Sequence, residues 1–162
     1  MNQAFMKDPD DAARPEVLPE RPQSPHLNYV TPPGLQRLRA QAADSAARLQ
    51  ETGSSADPRG LALLRRDLRW VEGRLQRAIL VDPAVQALDR VRFGMTVEVR
   101  HEDGHTEALT IVGEDEAEPG TGRISWLSPL AEALLNAEPG DEVAWQRPAG
   151  KTRLEIIGLR RS

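Results

Sequence analysis

Two apolar stripes of helical period, joined by a handful of turn-forming residues, constrain this chain more than anything else in it. Leu35, Leu38, Ala42, Ser45 and Leu49 recur at alternating spacings of three and four, a heptad seam. Leu61, Leu64, Leu68, Val71, Leu75 and Ala78 do the same. Between them lies Glu51-Thr52-Gly53-Ser54-Ser55-Ala56-Asp57, in which Asp57 is placed to cap a helix opened by Pro58. Thr31 and Pro32-Pro33 offer the same start to the first helix. Stripes joined by so short a loop must fold back on each other. The expected product is an antiparallel coiled-coil hairpin over 27–82, whose eighteen-residue arms would reach about 27 Å. Arg59, Arg65, Arg66, Arg69, Arg74 and Arg77 fall mostly off the seam, so they read either as a solvated face or as contacts for an acidic partner. Gly73 is expected to mark close approach of the first arm, and the second arm to run until Val81-Asp82-Pro83.

A linker over 83–90 separates this finger from a stretch of different period. Met95, Val97 and Val99 alternate with Thr96, Glu98 and Arg100, and Asp103-Gly104 signals a hairpin turn leading into Leu109 and Ile111. Gly120-Thr121-Gly122 precedes a short strand from Arg123 to Leu127. Ser128-Pro129 opens a helix expected to end near Pro139-Gly140, and a final hairpin turns about Pro148-Ala149-Gly150-Lys151. Residues 91–162 thus read as an antiparallel sheet with one helix packed on it, and the chain as α+β.

Composition removes several classes of function. With no cysteine, a disulfide framework and a thiolate metal site are both impossible. No run approaches a membrane span, and MNQAFMKDPDD lacks the basic-then-apolar order of a signal peptide, so a cytoplasmic setting is expected. The formal charge of −4 is unevenly spread, with −2 over 1–31, +4 over 32–80 and −6 over 81–162. Direct binding of free nucleic acid by the acidic unit is therefore not expected. Residues 1–26 carry five prolines among scattered charges and read as a disordered tail.

No nucleophile with its base, phosphate loop or metal set stands out, so the chain is not read as an enzyme. His101 and His105 flank a polar turn, and the glycines from 113 to 122 do not lead a strand into a helix. Glu114, Asp115, Glu116 and Glu118 read as a solvated acidic loop whose spacing matches no calcium site. At the hairpin tip, Glu51 and Asp57 flank the loop, with Asp44 about two turns back on the first arm. Carboxylates there could share a Mg²⁺ with a partner and activate water, although capping accounts for Asp57 equally well.

Finger, linker and sheet together resemble the Gre family of transcript-cleavage factors, its GreB branch in particular. The resemblance is carried by Asn28-Tyr29-Val30-Thr31-Pro32 with Gly34, Arg66-Asp67-Leu68-Arg69-Trp70, Ile79-Leu80-Val81-Asp82, Phe93-Gly94, Thr110-Ile111-Val112-Gly113, Ile124-Ser125, Ser128-Pro129-Leu130-Ala131, Gly140-Asp141 and Pro148-Ala149-Gly150, in family order over roughly 28 to 160. It implies an FKBP-like carboxy-terminal domain at the rim of the RNA polymerase secondary channel and a coiled coil pointing inward. Ser128, Pro129 and Leu130 would then contact the polymerase. The family's acidic tip has the form G-D-R-S-E-N, whereas Gly53-Ser54-Ser55-Ala56-Asp57 lacks the paired acids, on arms shortened by several turns. Glu51, Ser54, Ser55 and Asp57 are accordingly expected to form a tip that gives little or no cleavage stimulation, as in the short-fingered Rnk proteins. No cofactor is expected beyond a Mg²⁺ shared with the polymerase. An active cleavage factor, a prolyl isomerase and an interaction module with another partner are the alternatives; the isomerase is disfavoured by the scarcity of aromatic residues, Phe5, Tyr29, Trp70, Phe93, Trp126 and Trp145.

Overall fold

The computed structural model describes residues 17–55 and 57–162. Its amino-terminal half is the helical hairpin, α1 (Pro32–Thr52) and α2 (Pro58–Gln76). Each arm starts as the sequence dictates. The Thr31 hydroxyl accepts from Gly34 N at 3.2 Å and Asp57 accepts from Gly60 N at 2.8 Å, satisfying donors that a helix start leaves without partners. Near the base Val30, Leu38 and Val71 are buried and pack with Leu35, Ala42, Leu68, Trp70, Leu75 and Ala78. Towards the tip Leu49, Leu61 and Leu64 are only half-buried, so the apolar seam thins with distance from the base.

The second arm ends earlier than its heptad suggests. After Gln76 the chain leaves the helix, and β2 (Ala78–Leu80) pairs in parallel with β1 (Asn28–Val30), setting Asn28 opposite Ala78 and Val30 opposite Leu80. This two-stranded sheet closes the base of the finger. The next segment is no plain linker, because Asp82 caps a 3-10 turn over Pro83–Val85.

The carboxy-terminal half holds a curled sheet in the order β5-β4-β3-β7-β6, built from β3 (Met95–His101), β4 (Thr106–Val112), β5 (Arg123–Ser125), β6 (Glu142–Arg147) and β7 (Gly150–Arg161). It is mixed rather than antiparallel throughout, since β5 runs parallel to β4. Two 3-10 turns, Glu114–Glu116 and Pro119–Thr121, carry the chain across between those strands. One helix, α3 (Pro129–Leu134), covers the sheet, capped by Ser128, which accepts from Ala131 N at 3.2 Å. It stops well short of Pro139 because Asn136 takes a left-handed φ of 69° and donates its N–H to Val91 O. Val97, Val99, Leu109, Ile111, Leu154 and Ile156 from the sheet meet Leu130, Ala131 and Leu134 from α3 in one core.

The expectation of a disordered tail fails for part of 1–26. Residues 1–16 lie outside the described residues, but 17–23 run along α2 and the Ser24 hydroxyl donates to Glu114 at 3.0 Å. Gln23 Nε2 donates to Trp70 O at 2.9 Å and Trp70 Nε1 donates to Pro22 O at 3.2 Å. Gln23, not the first arm, is what approaches Gly73, where an added Cβ would lie 2.7 Å from Gln23 Nε2.

Candidate functional site

The tip is polar and open. Glu51, Ser54, Ser55 and Asp57 are all exposed. Gly53 N donates to Leu49 O at 3.0 Å and Ser55 N to Thr52 O at 3.0 Å, which ends α1 tightly without drawing carboxylates together. Asp57 directs Oδ1 at the Gly60 N–H, so its charge is committed to the start of α2. Among the described residues no group of three or more imidazole or carboxylate side chains converges to hold a cation.

At the other end of the finger, two charged side chains are buried in a junction with the sheet. Arg74 is 1% exposed. Its Nε donates to Asp115 at 2.7 Å and its Nη2 to Asn28 Oδ1 at 2.6 Å, while Glu114 lies 3.6 Å away. The amide of Asn28 in turn donates to Arg74 O at 2.8 Å. Beside this group Glu116, 5% exposed, accepts from the Thr31 hydroxyl, from Thr31 N at 3.0 Å and from Gly113 N at 3.2 Å, with Arg37 at 3.4 Å. A buried carboxylate with this many donors meets the condition for keeping charge out of water. The acidic run is therefore not a solvated loop. Three of its four carboxylates face α1, α2 or the segment before α1, and the fourth, Glu118, pairs with Arg123.

An aromatic cluster completes the junction. The Tyr29 ring sits 5.0 Å edge-on to Trp126 and 5.9 Å from Phe93. Gly113 is obligatory here, because any Cβ would run into the Tyr29 carbonyl oxygen. Phe93 and Trp126 of the sheet half are thus occupied by Tyr29 from the base of the chain's own finger. Arg74, Glu116 and Tyr29 were not singled out as site residues from the sequence. One signal for Arg74 was available: it lies three residues after Val71 and four before Ala78, on the apolar face, where a cation needs a partner.

Of the three residues that the resemblance assigns to a polymerase contact, Pro129 is exposed and Ser128 half-buried, whereas Leu130 is buried in the core at 8% exposure. His101 and His105 stack at 3.9 Å, each beside a carboxylate, Glu107 and Asp103 respectively. Hydrogen bonds from His105 hold the Asp103 carboxyl below its ordinary range.

Residues 85–161 match the family described as transcription elongation factor, GreA/GreB, C-terminal. The transcription elongation factor GreB of Neisseria meningitidis serogroup B is 33% identical over 151 residues, spanning 82% of this chain and 93% of that protein. The transcription elongation factor GreA of Desulfovibrio desulfuricans is 38% identical over 123 residues, 75% of this chain and 70% of that one. Among solved structures, the chain is similar to the GreA factor homolog Gfh1 of Thermus thermophilus, at 22% identity and a TM-score of 0.41, covering 83% of this chain and 99% of that one. A coiled-coil finger on a curled sheet with one helix, together with the family match and the likeness to the GreB and GreA relatives, defines the class as transcription elongation factors. The chain belongs to the GreA/GreB family. Within the match to GreB, 82% of 162 residues is about 133 against 151 aligned positions, so that relative carries about 18 residues this chain lacks.

Proposed function

We propose that this chain is an RNA polymerase-binding elongation regulator that docks at the secondary channel through its sheet domain and directs its finger inward, with little or no stimulation of transcript cleavage. The tip carries this reading. Mg²⁺ needs oxygen ligands at about 2.1 Å in near-octahedral array, and a cleavage factor must supply some of them at the end of its finger. Here one tip carboxylate caps α2 and the other, Glu51, projects from the last turn of α1. Arms of 21 and 19 residues give a reach of about 30 Å. The junction supports the rest of the reading, since a finger fixed at its base by Arg74 and Glu116 can be aimed by whatever holds the sheet.

The test is association of the full chain with purified core polymerase, with a photocrosslinker placed at Ser54→Cys in a chain that has no other cysteine. The expected result is a complex at low ionic strength whose crosslinks fall within the channel. No association under those conditions would remove the reading.

A further inference from the structure

The segment over 17–25 is held in a register that fits its length. Leu18 lies with Leu61, Ala62 and Arg65, and Gln23 lies at Trp70 and Gly73. Five extended residues at about 3.3 Å each cover the same 16 Å or so as eleven helical residues at 1.5 Å. Between these ends Glu20 accepts from Arg69 Nε at 3.0 Å, and the Arg21 guanidinium lies 3.9 Å over the Trp70 ring. The segment therefore covers a face of α2 formed by Arg65, Arg69 and Trp70, with Asp67 at its edge shared between Arg66 and the segment's own Arg21 at 3.5 Å each.

The cover is weakly fixed. Glu20 is 60% exposed and Arg69 52%, and pairs so open to solvent contribute little and weaken with salt. Val17 is 89% exposed, and the apolar contact at that end is limited to Leu18, half-buried against Leu61 and Ala62. The fit also leaves polar atoms idle: among the described residues Gln23 Oε1 and Arg66 Nε are buried without a hydrogen-bond partner.

We propose that residues 17–25 are a displaceable cover, and that the face of α2 beneath them receives an acidic, extended polypeptide segment of the polymerase when the finger engages. The cover itself shows the chemistry of such an occupant: a carboxylate at Arg69, a carbonyl accepting from Trp70 Nε1, and an amide donating to Trp70 O. The identity of the partner rests on the reading of this chain as a polymerase-binding factor, while the cover does not.

The test locks the cover in the full chain. Gln23→Cys with Gly73→Cys, in a chain without other cysteines, is bridged by a short reducible thiol crosslinker, and the bridged and reduced forms are compared. Binding is read first to poly-glutamate and then to core polymerase, with Arg69→Glu in the reduced form as a charge control. The expected result is binding at least tenfold weaker in the bridged form to both probes, and loss of poly-glutamate binding in Arg69→Glu. Equal binding of bridged and reduced forms to both probes overturns the cover, with polymerase binding left intact. A poly-glutamate difference without polymerase binding in either form overturns the polymerase as occupant and the proposed function with it. Tighter binding of the reduced form to poly-uridylate than to poly-glutamate overturns the choice of a polypeptide.

Discussion

Replacing Arg74 with Met tests whether the finger is truly locked to the sheet. Met preserves much of the aliphatic stem and removes the guanidinium, leaving Asn28, Asp115 and Glu114 without their shared cation. Breaking a buried ion pair by removing one partner typically costs 3–5 kcal/mol, because the other charge stays buried and uncompensated. Asp115 and Glu114 are 25% and 26% exposed in their side chains, so water recovers part of that loss. Asn28, at 3% exposure, recovers almost none. The expected cost is about 3 kcal/mol, equivalent to a fall in melting temperature of about 6–12 °C for a chain of this length. Urea unfolding followed by far-ultraviolet circular dichroism measures it. Hydrogen exchange should localise the loss to β1, β2 and the base of α2, while the centre of the large sheet keeps its protection. A change below about 1 kcal/mol, or loss of protection spread evenly over β3 and β7, would refute the reasoning.

Gly113→Ala drives a Cβ into the Tyr29 carbonyl, and since neither backbone can yield cheaply, a loss of about 2–3 kcal/mol is expected in the same unfolding assay, with quenching of the Trp126 environment altered. Asp57→Ala removes the α2 cap and should cost about 1 kcal/mol of stability while leaving transcript length in stalled complexes unchanged, as read on a sequencing gel. Asp89 is lowered from 3.8 to about 2, chiefly by the hydrogen bond from Arg92; its stabilising effect is therefore present above its unfolded value and is lost as pH falls from about 4 through 2, which a carboxyl carbon NMR titration would follow directly.

Much of this architecture could be read from residues in order. Heptad spacing and two proline-backed caps gave the hairpin, and alternation through Met95, Val97 and Val99 gave the central strand. What stayed hidden depended on partners distant in sequence. Ala78-Ile79-Leu80 continues the apolar rhythm of α2, and nothing local reveals that pairing with Asn28–Val30 pulls it out of the helix. Three residues, Arg123–Ser125, cannot declare their direction, which is set by the path of the two 3-10 turns before them. Glu114, Asp115 and Glu116 resemble a solvated run in composition alone, and their role follows only once Arg74 and Thr31 are brought to them. The tip was more legible, because capping is a local interaction and Asp57 behaves as Asp before Pro should.

The most direct measurement of the central claim is transcript length in stalled elongation complexes saturated with this chain, with occupancy monitored in the same sample. Full-length transcript alongside a bound factor is expected. Shortened transcript that disappears in a variant combining Glu51→Ala and Asp57→Ala would contradict it.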